Sequence, residues 1–362
     1  MDYFKKESKT AIEAFEYAQW IVHAPMVFQA ARVLCESGIL RAIREAGAAG
    51  EVQERIVEKV KLPNYGVRVL LEAGLGIGLI LRNEEKYTLT KTGFFILTDK
   101  MTNVNMNFVH DVCYKGLFSL GESIKNEKPE GLKVFGNWNS VYEGLAELPP
   151  PIRKSWLDFD HYYSDNAFPY VLPMVFKHKP KKLLDIGGNT GKWSLACQQY
   201  DKEVQVTIVD LPGQIDLAKE NMEKQGALLD RISFHGMNIL QKNEKLPKGY
   251  DAIWMSQFLD CFSEKQIVSI LQRCHEAINE DGYIFILEPF WDRQRFETAA
   301  FALQQTSLYF TAIANGNSQI YDSEVFLKCI DDAGFEIDEQ VDRIGLCQSL
   351  LTCRKKKNGQ AA

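Results

Sequence analysis

The sequence holds no CxxC pair, no cysteine–histidine grouping with zinc spacing, no excess of positive charge and no long apolar run. Each absence excludes something. The eight cysteines, at 35, 113, 197, 261, 274, 329, 347 and 353, are scattered, so a structural metal is not expected. Reduced thiols in a cytoplasmic protein are the expectation instead. The net charge of −6 argues against a nucleic-acid or anionic-membrane partner, since both require a concentrated basic surface. The basic cluster Arg354-Lys355-Lys356-Lys357 reads as a short solvated tail. The opening MDYFKKESKTAIEAF lacks the apolar region of a secretion signal, and the stretch Ala73 to Leu81 is far too short to cross a bilayer. What is present is an ordinary globular composition, 46% hydrophobic and 25% charged, on 362 residues. That length suffices for two domains, each with its own core.

Two textures divide the chain. Residues 1–100 read mostly as helices. Ala18 to Leu40 is apolar around almost its whole circumference, so such a helix must be covered on several sides, a partner subunit being one cover. VQERIVEKV (52–60), a turn at Lys61-Leu62-Pro63-Asn64 and YGVRVLLEAG (65–74) resemble a helix-turn-helix, with LRNEEKYTLTKTG (81–93) as a β-hairpin wing. DNA binding is disfavoured, because the second helix offers Arg68 alone, opposed by Glu72. Dimerisation or lining of a substrate site fits better. Residues 101–180 form a helical region rich in aromatics. From residue 181 to 357, short apolar strands alternate with helical segments: KLLDIG, QVTIVD, ISFHG, DAIWMS and YIFILEP. Alternation of this kind predicts a parallel sheet covered by helices on both faces. FEIDEQVDRI (335–344) and SLLTCR (349–354), with no helix between them, predict an antiparallel final pair.

The segment LLDIGGNTGKW (183–193) places a glycine turn between strand and helix. A dinucleotide fingerprint fails here: aligned on Gly188 and Gly191, its first glycine would be Ile186. A phosphate loop fails because Gly191-Lys192 is followed by Trp193. The pattern that fits is acid-x-Gly-x-x-x-Gly, with Asp185, Gly187 and Gly191. It suits the zwitterionic methionine end of S-adenosylmethionine, with a carboxylate for the ammonium and helix-start N–H groups for the carboxylate. A turn that only lets strand and helix pack closely also satisfies it. Asp210, at the tip of the next strand in TIVDLPG, can accept from both hydroxyls of a ribose; the alternative is an acid favoured by the following helix dipole. Order and spacing together favour nucleoside binding, and the missing glycines favour S-adenosylmethionine over a nicotinamide.

With these motifs in sequence, the chain resembles the two-domain S-adenosylmethionine-dependent O-methyltransferases of the caffeic-acid and hydroxyindole type, whose bacterial members act on small aromatics and polyketides. The resemblance runs over nearly the whole chain: FDHYYSDNA (159–167) in place of the family's F-x-x-x-M-S-D segment, then DIGGNTG, VDLPG, YDAIWM, FILEP and Asn315-Gly316. It implies an α/β fold with a class I methyltransferase Rossmann-like sheet whose last strand is antiparallel, plus an N-terminal winged-helix dimerisation domain. It also implies a homodimer and S-adenosylmethionine as cofactor. Carried over by position, Asp185, Gly187 and Gly191 flank the methionine end, Asp210 binds the ribose, Asn238 reaches the adenine side and Ser164 lies beside the cofactor. Phe159 and Tyr163 line an aromatic acceptor pocket, or simply pack in the core.

The departure is at the catalytic centre. Where the family has His-Asp-Trp, this chain reads Asp260-Cys261-Phe262, and Ser263-x-x-Gln266 then caps a helix. Of the two glutamates that hold the family histidine, one corresponds to Glu288 and the other to Gln319. An exposed aspartate is a weak base for a phenol, but burial near Glu288 raises its pKa and strengthens it. The expectation is therefore O-methylation of a small hydroxylated aromatic, with Asp260 and Glu288 at the catalytic centre. Two alternatives remain open: a cofactor-binding protein of the same fold with altered or lost methyl transfer, and a winged-helix regulator sensing a metabolite.

Overall fold

The computed structural model describes residues 4–226, 229–241 and 243–357. They fall into two compact units, Met1–Val109 and His110–Ala362.

In the first unit, α1 (Ala11–Glu36) starts at a capping box in which Thr10 and Glu13 satisfy each other's backbone N–H. It stops short of Leu40 because Gly38 turns the chain at a φ of 84°, and α2 (Ile39–Ala46) leaves in a new direction. A short β1 (Glu51–Val52) leads into α3 (Gln53–Val60) and α4 (Asn64–Gly76). The wing is the hairpin β2 (Ile80–Asn83) and β3 (Lys86–Leu89), with β3 central in a three-stranded antiparallel sheet. Its expected last residues belong instead to α5 (Lys91–Thr98), which Thr90 caps by accepting from the Gly93 N–H. α6 (Lys100–Asn107) follows. Leu34, Ile39, Leu40, Ile43, Ile56, Val67 and Leu71 fill this core. α1 contributes little to it: Ile12, Phe15, Trp20, Ile21, Val22 and Met26 stand exposed.

The second unit opens with α7 (Leu120–Asn126), α8 (Val141–Gly144), α9 (Pro150–Ser164) and α10 (Phe168–Phe176). A seven-stranded sheet follows, built from β4 (Lys182–Ile186), β5 (Gln205–Asp210), β6 (Ile232–Gly236), β7 (Tyr250–Ser256), β8 (Ile278–Pro289), β9 (Phe335–Ile344) and β10 (Gln348–Lys355). Between the strands run α11 (Lys192–Tyr200), α12 (Pro212–Lys224), α13 (Glu264–Ala277), α14 (Glu297–Tyr309) and α15 (Ser323–Asp332). The order is β6-β5-β4-β7-β8-β10-β9; β4 to β8 pair in parallel, and β10 runs antiparallel to both β8 and β9. The final strand is thus interior, and the charged β9 forms the edge. Helices cover both faces, so β4 is buried from Leu183 to Ile186. Trp193 of α11 stacks on Trp254 of β7 at 3.8 Å between ring centroids.

The basic tail expected at the end of the chain is structured instead. Arg354 and Lys355 belong to β10, and opposite charges hold them there: Arg354 faces Glu336 at 2.9 Å, Lys355 faces Glu280 at 2.9 Å and Lys356 faces Asp331 at 2.7 Å. Among the described residues no helix is long and apolar enough to cross a membrane.

Candidate functional site

The chain runs from β4 outward to β5 and β6, then jumps back to β7 on the other side of β4. In open α/β sheets such a reversal leaves a crevice at the carboxyl ends of the two strands, where ligands bind. The turn after β4 and the loop after β7 meet there. Gly187 has a φ of 76°, and a Cβ on it would lie 2.3 Å from the Phe258 ring. Gly191, at a φ of 78°, would bring a Cβ to 2.6 Å from the Met222 sulfur. Both positions therefore demand glycine. Between them Asn189 holds a left-handed φ of 49° without being glycine. Two hydrogen bonds maintain it: its N–H donates to Asp210 Oδ2 at 2.9 Å, and its Nδ2 donates to Asp160 Oδ2 at 2.9 Å.

The acids of this crevice differ in role. Asp185 is buried and accepts from Ser194 Oγ at 2.6 Å; burial pushes its pKa up to about 7, against the Ser194 bond, with Asp210 adding to the rise. Asp210 accepts one backbone N–H on each oxygen, from Leu211 at 2.7 Å and Asn189 at 2.9 Å, and burial pushes it up to about 6. Each oxygen keeps a further acceptor site, which suits two vicinal hydroxyls. Asn189 Oδ1 is buried with no hydrogen-bond partner among the described residues, an acceptor that calls for a donor from outside the chain. A cradle that admits only glycine, an orphaned acceptor and a two-oxygen carboxylate together fit S-adenosylmethionine.

The end of α9 closes against this turn. Lys192 Nζ donates to Asp165 Oδ2 at 2.6 Å, and His161 Nε2 lies 3.3 Å from Thr190 Oγ1. Ser164 is buried and donates to its neighbour Asp165 at 3.3 Å. On the same helix the Phe159 and Tyr163 rings lie 5.0 Å apart, half-buried. Asn238, beyond β6, is half-buried, and its Oδ1 accepts from the Leu240 N–H at 3.0 Å.

On the other wall, Gln257 takes a φ of 47° after β7, and the chain makes a short turn at Leu259–Cys261 that buries Asp260. Glu288 Oε1, from β8, accepts the N–H of Phe258 at 2.9 Å and of Leu259 at 2.8 Å, so this glutamate clamps the backbone that presents Asp260. Burial pushes Asp260 up to about 7; Cys261 opposes the shift and Asp160 adds to it. Burial, then the charge of Asp260, drives Glu288 well above the ordinary carboxylate range. Two such neighbours resist carrying two negative charges, so each keeps the other's proton affinity high. The loop is fixed further by Asn315, which donates to the Cys261 carbonyl, and by Tyr321, whose hydroxyl donates to the Phe262 carbonyl at 2.6 Å. The Ser263–Gln266 capping box starts α13 as expected.

The structure brings Asp185, Gly187, Gly191 and Asp210 together at one corner, with Asp260 and Glu288 across the crevice. It does not join Gln319 to that pair. Gln319 is exposed between buried Ser318 and Ile320, and among the described residues no hydrogen bond ties it to Asp260 or Glu288. Asn315 and Tyr321 hold the loop in its stead. Sequence reasoning also passed over Asp160, whose only signal was its place one residue after Phe159.

A model of the Dimerisation2-like domain matches residues 16–87, and a model of the O-methyltransferase domain matches residues 171–336. The chain is 22% identical over 320 residues to an L-tyrosine C(3)-methyltransferase of Streptomyces lavendulae, with 87% of this chain and 85% of that protein covered. It is 27% identical over 248 residues to a 3-hydroxy-5-methyl-1-naphthoate 3-O-methyltransferase of Streptomyces sahachiroi, with 67% and 69% covered. Among solved structures, human N-acetylserotonin methyltransferase in complex with S-adenosylmethionine superposes with a TM-score of 0.67 at 18% identity, over 97% of this chain and 100% of that one. The chain belongs to the family of S-adenosylmethionine-dependent methyltransferases that join a Dimerisation2-like domain to an O-methyltransferase domain.

Proposed function

We propose that this enzyme methylates the hydroxyl oxygen of a small aromatic metabolite, with Asp260 as the base. The observation that carries the reading is Asp260 itself, a buried carboxylate raised to about 7 and presented by a backbone that Glu288 clamps. Bound at the crevice, S-adenosylmethionine supplies an electrophilic methyl carbon. Asp185, Gly187, Gly191 and Asp210 hold and orient the cofactor, with Asn238 and Ser164 at the margins of its site. Phe159 and Tyr163 offer ring faces to a flat acceptor. Once the two are in line, much of the acceleration comes from position, and Asp260 removes the phenol proton as the oxygen attacks. A carboxylate with a pKa near neutrality is better matched to that task than an ordinary aspartate.

A second reading, methylation of a ring carbon beside the hydroxyl, is favoured by the tyrosine C(3)-methyltransferase relative. It uses the same base, since a phenolate carries charge on the adjacent carbon. Incubation with S-adenosylmethionine and a panel of phenols, followed by mass spectrometry and NMR of the products, separates the two. A methyl ether is expected; a C-methyl product selects the second reading, and cofactor turnover without any methylated product overturns both.

We further infer a homodimer built through the first unit. The support is the Dimerisation2-like match and the apolar side of α1, where Phe15, Trp20, Ile21 and Met26 are exposed. Replacing Trp20 and Ile21 together by Glu should convert a dimer to a monomer in light scattering. An unchanged mass places the interface elsewhere.

A further inference from the structure

Asp260 does not face its surroundings alone. Tyr142, on α8, donates its hydroxyl to Cys261 Sγ at 2.9 Å, and the Cys261 thiol lies 3.4 Å from Asp260 Oδ1 as a donor. A second acceptor for that thiol, the Gln257 carbonyl, is farther away at 3.9 Å. A hydroxyl donating into the sulfur polarises the thiol toward its own acceptor, since chained hydrogen bonds strengthen one another. Both partners are held from behind: Asn315 grips the Cys261 carbonyl, and the Tyr142 ring meets Trp156 edge-on at 6.4 Å. Trp156 in turn donates to the Tyr309 hydroxyl at 2.7 Å. Burial raises both the Tyr142 hydroxyl and the Cys261 thiol well above their ordinary ranges, so neither ionises and both remain donors.

We propose that Cys261 and Tyr142 are positioning residues for the base: a hydroxyl–thiol pair that occupies Asp260 Oδ1, leaves Oδ2 to the acceptor and supports the ionised carboxylate. The proposal rests on the reading of Asp260 as the base, and deepens it. Other groups bear on the same carboxyl. Asp160 of α9 opposes its ionisation, while Glu288 of β8, Cys347 and Tyr321 are close enough to sense its charge. Among the described residues, the side chain that donates a hydrogen bond to Asp260 is Cys261.

The test follows the Asp260 carboxyl directly, by 13C NMR of protein labelled at aspartate, with Asp260→Asn to assign the resonance. Its midpoint is expected near 7 in the parent protein. Cys261→Ala should move it upward by about half to one pH unit, the net worth of one ordinary hydrogen bond, since a thiol is a weak donor. Cys261→Ser keeps a donor and should leave it within about 0.3 unit. Tyr142→Phe should shift it in the same direction as Cys261→Ala but less, and the double variant should equal Cys261→Ala, because the tyrosine acts through the thiol. In turnover, the acid limb of the pH–rate profile should follow these midpoints. An unmoved midpoint in Cys261→Ala, or additive shifts in the double variant, overturns the proposal. The carboxyl titration is read without substrate, so an enzyme that methylates no phenol refutes the proposed function while the assignment of the pair is still decided.

Discussion

Asp260→Asn should lower kcat by about 100- to 10,000-fold, the usual worth of a general base, while cofactor affinity stays within about three-fold. The split matters because Asn keeps the size of Asp and its place under the Glu288 clamp, losing only basicity. The pH dependence follows from the raised pKa of about 7. Base catalysis needs the ionised form, so in the parent enzyme kcat/KM should be flat above pH 7 and fall as pH drops through that value, about tenfold per unit. The variant's residual rate should lack this limb. Steady-state kinetics from pH 5.5 to 9, with the acceptor varied at saturating S-adenosylmethionine so that Asp185 and Asp210 add no limb of their own, reads both effects. A variant that keeps near-parental kcat, or a limb that persists in it, removes Asp260 from proton transfer and leaves positioning as the source of the rate.

The second large effect concerns the cofactor. Asp210→Ala should weaken S-adenosylmethionine binding roughly 100- to 1,000-fold, about 3–4 kcal/mol, because two charge-assisted hydrogen bonds to the ribose are lost together. The loss includes a local component. Asp210 also receives the Asn189 N–H, and without it the left-handed residue in the middle of the glycine turn loses one of its two restraints. Isothermal titration at pH 8, above the Asp210 value of about 6, keeps the parent carboxylate ionised during the comparison. Affinity within about three-fold of the parent would place the ribose elsewhere.

Much of the fold was legible from local pattern. β5, β6 and β9 occupy the residues that hydrophobic patterning marks, and the Ser263–Gln266 box announces α13. The glycine turn could be located because strand, acid and glycines are contiguous. Other features were hidden because they depend on residues far apart in the chain. The Tyr142–Cys261 bond joins positions whose encounter no periodicity predicts, and Asp160 looks like any acid on a helix until Asn189 reaches it. The interior place of β10 is a matter of strand order, which apolar composition leaves open. Arg354 and Lys355 read as a tail because their partners, Glu336 and Glu280, are distant in sequence. Gln319 is instructive in another way: alignment to a motif fixed its position, but its burial depends on how Asn315 and Tyr321 take up the contacts on either side.

The decisive measurement is a crystal structure with S-adenosylhomocysteine, the demethylated cofactor, soaked into the protein. The account predicts its ribose hydroxyls on the two oxygens of Asp210, its amino-acid end against the turn from Gly187 to Gly191, and its sulfur facing the side on which Asp260 stands. Density for the compound at another site, or an Asp210 left without contact to it, would contradict the account.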